Sequence, residues 1–153
     1  IAAHPCVKGF VMGTNDLAKE LTTRYTPDRQ PLLMSLQLCL LAARAHDVVA
    51  IDGVYNAFKD DAGLLAECEQ GRDMGFDGKT LIHPAQVAIA NTAFAPTEAE
   101  IDLARRQIDA FEKAIAAGQA VAVVDGRIVE NLHVATAREI LAKAESIEAL
   151  AAE

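Results

Sequence analysis

The strongest constraint in this sequence is an alternation: short apolar runs end in polar turns, and helix-patterned stretches follow them. Val7–Met12 is β-rich and stops at Gly13-Thr14-Asn15-Asp16, which reads as a polar turn. Leu32–His46 is apolar at helical spacing, and Pro31 suits a first helical turn. Val48–Ile51 is wholly apolar, the pattern of a strand buried on both faces, and it stops at Asp52-Gly53. Asp61–Met74 reads as a helix, with acidic residues at its start and Gly75 just past its end. Thr80–Ile82, introduced by Gly78-Lys79, is the next apolar run. It stops at His83-Pro84, and Pro84 is expected to open a helix running to Phe94. Successive strand–loop–helix units predict an α/β fold of parallel strands with right-handed crossovers.

After Pro96 the pattern changes. Thr97-Glu98-Ala99-Glu100 has the form of a capping box, and a long helix is predicted from it to Ala117, stopped by Gly118. Ala120–Val124 and Arg127–Glu130 flank Asp125-Gly126, a strong hairpin signal. An Ala-rich helix from Leu132 to Ala149 closes the chain. Two parts are therefore expected: residues 1–96, of α/β type, and residues 97–153, a helical extension carrying one small hairpin.

Charge and composition remove several function classes. The formal net charge of −8 argues against a nucleic-acid surface, which needs a concentrated basic footprint. The longest apolar stretch, Leu36–Ala45, is interrupted by Gln37 and Arg44 and is too short to span a bilayer. Cys6, Cys39 and Cys68 are widely spaced and form no metal-binding pattern. They read as reduced core cysteines, which with no visible signal peptide points to the cytoplasm.

Sites in parallel α/β folds form at the carboxyl ends of the strands. Reading the residues there gives Asn15-Asp16, Asp52 and His83 as candidates. Asp and Asn also cap helices and make turns, and His83 also suits a satisfied histidine at a strand end. Isolated carboxylates of this kind suit Mg²⁺ or Mn²⁺ better than zinc, because no HxxH, HExxH or cysteine cluster is present. One carboxylate is a thin site, and a further acidic ligand is needed. Lys79 reads as a solvated lysine at a strand start. Glu130, at the end of the hairpin, reads from composition as a surface charge, with general acid/base work as the alternative.

The succession GTNDLA, AIDGVY, GFDGKTLIHPAQ, FAPTEAEI and VVDGRIVENLH resembles the citrate lyase β-subunit-like (HpcH/HpaI aldolase/citrate lyase) family over nearly the whole chain. In appearance it is nearest to the malyl-CoA and β-methylmalyl-CoA lyases. The resemblance implies a (β/α)₈ TIM barrel, of which residues 1–96 are the C-terminal three βα units. It implies that residues 97–153 are an extension given to a neighbouring subunit of a homotrimer or homohexamer. It also implies Mg²⁺-dependent carbon–carbon lyase chemistry on a 3-hydroxyacyl-CoA such as malyl-CoA, with acetyl-CoA or propionyl-CoA and glyoxylate as partners in an enolate reaction.

Position by position, Asp16 matches a metal ligand and Asn15 lines the small oxo-acid pocket. The resemblance implies that Ile82, His83 and Pro84 line the acyl-CoA site and that Asp52 lies on the same rim. Glu130 takes the place of the family's general acid/base, where many members have aspartate. Two other readings stand beside the lyase: a malyl-CoA-type thioesterase, and a non-catalytic fragment or assembly subunit. Three strands leave an open apolar sheet edge, so the chain is expected to belong to a larger polypeptide and to be inactive by itself.

Overall fold

The computed structural model describes residues 1–152. The chain divides into two compact units, Ile1–Phe94 and a second from Ala95 onward.

The first unit is built on a parallel three-stranded sheet in the order β1 (Gly9–Val11), β2 (Val49–Asp52), β3 (Gly78–Lys79). The register pairs Val11 with Ile51 and Asp52 with Lys79. Between β1 and β2 run α1 (Thr14–Glu20) and α2 (Leu33–Arg44); α3 (Asp61–Met74) joins β2 to β3, and α4 (Gln86–Phe94) follows β3. The expected alternation and parallel direction are present. Several limits differ. Thr14-Asn15-Asp16 is the first turn of α1 rather than a loop, Gly78–Lys79 rather than Thr80–Ile82 is the strand, and Pro84 lies in a turn ahead of α4.

The two faces of this sheet have different surroundings. Leu36, Leu40 and Ala43 of α2, Leu64 and Cys68 of α3, and Ala90, Ala93 and Phe94 of α4 pack with Ala50 into one buried cluster. Strand side chains alternate between faces, so Asp52 points the same way as Ala50. Val49 and Ile51 occupy the opposite face, where Val49 is 48% exposed and Val11, the partner of Ile51, is 67% exposed. The expectation that Val48–Ile51 is covered on both sides is corrected for these residues: helices cover one face only. Met34, Leu38 and Leu41 form an exposed stripe on α2. Cys6 is also exposed, whereas Cys68 is buried as expected and Cys39 is intermediate.

In the second unit, α5 (Glu98–Ala116) precedes a hairpin of β4 (Ala122–Val124) and β5 (Arg127–Val129), and α6 (Asn131–Ala151) ends it. The capping box at Thr97 is complete: its hydroxyl accepts from the Glu100 N–H at 3.2 Å, and its own N–H donates to the Glu100 carboxylate at 2.7 Å. Thr97→Ala removes one of these bonds and is expected to lower stability by about 1 kcal/mol, read as a shift in denaturant midpoint. The hairpin turn is Asp125-Gly126, at φ +50° and +74°. Positive φ at both central positions is what a tight two-residue turn requires, and Gly supplies it without a Cβ penalty. Arg106 of α5 grips Asp125 with two hydrogen bonds of 2.8 and 2.9 Å. Ala114, Ala122, Val124, Val129 and Val134 form the core of this unit.

Among the described residues, no helix is long and apolar enough to cross a membrane.

Candidate functional site

The carboxyl ends of β1, β2 and β3 carry the candidate residues, and the loops there are bonded to one another. Asn15, in the first turn of α1, exchanges two side-chain hydrogen bonds with Asn56 in the loop after β2, at 3.2 and 2.7 Å. Gln86 donates from Nε2 to the Tyr55 carbonyl at 2.9 Å and accepts from the Ile82 N–H at 2.9 Å. The loops after β1 and β2 are thus joined through Asn15 and Asn56. The loops after β2 and β3 are joined through Gln86.

Asp16 is exposed in the first turn of α1, just beyond the end of β1. Ile82 is 51% exposed and His83 and Pro84 are exposed, all in the segment between β3 and α4. His83 has local partners. Its Nδ1 accepts from the Ala85 N–H at 3.1 Å, and its ring stacks on Phe58 at a centroid distance of 4.9 Å. Glu130 belongs to the second unit, where it is exposed and is the N-cap residue of α6. Its N–H donates to His133 Nδ1 at 3.0 Å.

Asp52 is a correction. It is expected on the rim as a ligand-facing residue, and it is wholly buried. Its position in β2 turns it toward the helices, where Arg29 Nη1 donates to both carboxylate oxygens at 2.8 and 2.7 Å. Lys79, directly opposite on β3, places Nζ 3.4 Å from Asp52, 2.6 Å from Glu67 of α3 and 2.7 Å from the Gly53 carbonyl. Lys79 is therefore no solvated lysine: its side chain has no exposed surface. Arg29 Nε also donates to Gln70 at 2.7 Å. Two cations and two anions are thereby held together and mutually compensated, although Arg29 Nη2 is buried without a hydrogen-bond partner. Gly71 makes room for this. A Cβ there would lie 2.7 Å from Asp52 Oδ2. Arg29 itself sits at φ +53°, a strained region for a residue with a side chain, and the buried ion pairs hold it there.

Several groups are removed as acid/base or nucleophile candidates near neutral pH. The Tyr55 hydroxyl donates to Asp60 at 2.7 Å, and this bond pushes its pKa up to about 12. Burial likewise raises the Tyr25 hydroxyl and the Cys68 thiol. All three stay protonated. An open cleft of about 440 Å³ beside β1 is lined by Phe10, Met12, Leu17, Leu36 and Cys39 among others, and it contains no charged side chain. It offers nothing for charge-stabilised chemistry.

A divalent cation needs several oxygen ligands. Among the described residues, no group of three or more His, Cys, Asp and Glu side chains could hold a metal ion. Asp16 can supply one carboxylate, and the residues present do not by themselves complete a metal site.

The buried cluster was beyond sequence reading. Arg29 lies in an irregular stretch 23 residues from Asp52, and nothing local marks it. Gln86 stood in plain view in the IHPAQ segment, but its partner Tyr55 is 31 residues away.

A family model described as HpcH/HpaI aldolase/citrate lyase matches residues 1–84. A (3S)-malyl-CoA thioesterase of Cereibacter sphaeroides is 70% identical over 152 residues, 99% of this chain and 53% of that protein. The citrate lyase subunit beta of Escherichia coli is 36% identical over 137 residues, 90% of this chain and 45% of that protein. The chain thus spans about half the length of the curated relatives it matches. Among solved structures, protein CitE from Mycobacterium tuberculosis, in complex with magnesium, acetoacetate and coenzyme A, superposes with a TM-score of 0.81 at 27% identity. That match covers 95% of this chain and 55% of CitE.

The expectation of carbon–carbon lyase chemistry is corrected by these findings. The relatives at 70% identity are thioesterases, which favours the reading that stood second. The family itself follows from the match to residues 1–84 and from the shared fold: this chain belongs to the HpcH/HpaI aldolase/citrate lyase family.

Proposed function

We propose that the full-length protein is a thioesterase that hydrolyses malyl-CoA or a closely similar acyl-CoA. The observation that carries this reading is the 70% identity, over 99% of the chain, to the (3S)-malyl-CoA thioesterase of Cereibacter sphaeroides. The coenzyme A held by CitE supports the ligand class. In this reading the first unit forms part of a (β/α)₈ barrel, and the site lies at the carboxyl ends of its strands.

In this reading Asn15 and Asp16 face the small-acid end of the substrate. Ile82, His83 and Pro84 border the thioester. Glu130 is the general base, contributed to a neighbouring subunit's site in a homo-oligomer. The Glu130 carboxylate takes a proton from water as the water oxygen bonds to the thioester carbonyl carbon. The C–S bond then breaks, and the departing thiolate takes up the proton, giving malate and free coenzyme A. Asp52 has no part in this. It is structural, as its burial and its pairing with Arg29 require.

Product analysis tests the reading. Full-length protein incubated with malyl-CoA and Mg²⁺ is expected to release free thiol and malate in equal amounts, with no glyoxylate. Acetyl-CoA and glyoxylate in place of malate would overturn it.

A further inference from the structure

We propose that Gln86 is a positioning residue for the thioester site, setting where the Ile82–His83–Pro84 segment stands relative to the loop after β2. The proposal rests on the thioesterase reading. It starts from a contrast in burial. Ile82, His83 and Pro84 are exposed, so core packing does not fix them. Gln86 is 1% exposed. The segment is tied to the loop after β2 by that amide and by the stacking of His83 on Phe58, and within itself by the bond from the Gln86 N–H to the His83 carbonyl at 3.0 Å and that from the Ala85 N–H to His83 Nδ1 at 3.1 Å.

The orientation of the amide is decided by its partners. The Tyr55 carbonyl can only accept, so Nε2 faces it; the Ile82 N–H can only donate, so Oε1 faces it. A buried amide with both ends used on two different strand-end loops is a spacer of fixed length. The Tyr55 end is itself anchored, because the Tyr55 hydroxyl donates to Asp60 and Asp60 caps α3 by accepting from the Gly63 N–H at 3.0 Å. The segment between β3 and α4 is therefore referenced to the first turn of α3 through Gln86. Local capping at the start of α4 accounts for the Ile82 bond but not for the bond to the Tyr55 carbonyl, 31 residues distant.

Gln86→Met in the full-length protein keeps the side-chain volume and removes both bonds. The expected result is a KM for malyl-CoA raised about tenfold with kcat changed less than about threefold, since the chemistry is intact and only the substrate's seat has shifted. Faster hydrogen exchange at the Ile82 amide should accompany it. A merely structural role would reduce the folded, active fraction, lowering apparent kcat at constant KM. That result would overturn the proposal. If Gln86→Met does not fold, Gln86→Asn keeps the amide but is one methylene too short to span both partners, and it should show the same KM rise. A wild-type KM in a folded Gln86→Asn would equally overturn it. Wild-type protein that hydrolyses no malyl-CoA would overturn the functional reading and this proposal with it, whereas wild-type turnover with an unchanged KM in the variants overturns the proposal alone.

Discussion

Replacing Asp52 by alanine is expected to lower stability by about 3–5 kcal/mol, the cost of stranding buried charge. Asp52 is wholly buried and receives two hydrogen bonds from Arg29. Without it, Arg29 and Lys79 share Glu67 alone, at 3.8 and 2.6 Å. Neither cation has water to turn to, because both side chains are fully covered. A loss of that size is a large part of the roughly 5–15 kcal/mol that holds a typical domain folded. Urea denaturation of the full-length protein measures it. A midpoint within error of wild type would show that the cluster carries no stability. The companion experiment replaces Arg29, Asp52, Glu67 and Lys79 together by apolar residues of similar volume. Much of the loss should then be recovered, because desolvation of the charges offsets most of what their attraction supplies.

Glu130→Gln is expected to lower kcat for thioester hydrolysis by about 10²–10⁴-fold while leaving the fold intact. The amide keeps the shape of the side chain but cannot take a proton from water. Glu130 is exposed and outside the buried core of its unit, so the thermal midpoint should hardly move. A complementation experiment addresses the neighbour's role. Co-expressed Glu130→Gln and Asp16→Asn chains should form mixed oligomers with measurable turnover, although neither variant is active alone. Activity restored in the mixture requires that the base and the Asp16 side of a site come from different subunits. No restoration would place them in one subunit.

How far the sequence reached depends on the range of each interaction. The capping box at Thr97 and the Asp125-Gly126 turn were legible because their hydrogen bonds and φ angles belong to residues within a few positions of one another. The order of the elements was legible from hydrophobic period. The start of α1 was not, because Gly13-Thr14-Asn15-Asp16 has the composition of a turn, and nothing local says that the helix begins inside it. The limits of β3 were missed for a related reason. Its ladder is fixed by the pairing of Gly78 with Ile51 and Lys79 with Asp52, whereas the apolar run is shifted toward Thr80–Ile82.

The candidate site divides the same way. Asn15, Asp16 and His83 were proposed because strand ends are where parallel α/β folds gather function, and Ile82 and Pro84 because of the family resemblance; all five follow strand ends and are exposed. Asp52 satisfied the same rule and is structural. What separates it is the face on which it stands. A strand's alternation places Asp52 beside Ala50, under α3, and its partners arrive from 23 and 27 residues away.

The sequence by itself determined the alternating α/β plan, the capped helix and tight hairpin of the second unit, and the family. These follow from local chemistry and from the order of motifs along the chain. The tertiary structure alone decided which strand-end residues face outward and which are buried, that Lys79 is a buried counter-charge, and that Gln86 spans two loops. The physical reason is that burial and charge pairing are set by sheet register and helix packing, which bring together residues that no local pattern connects.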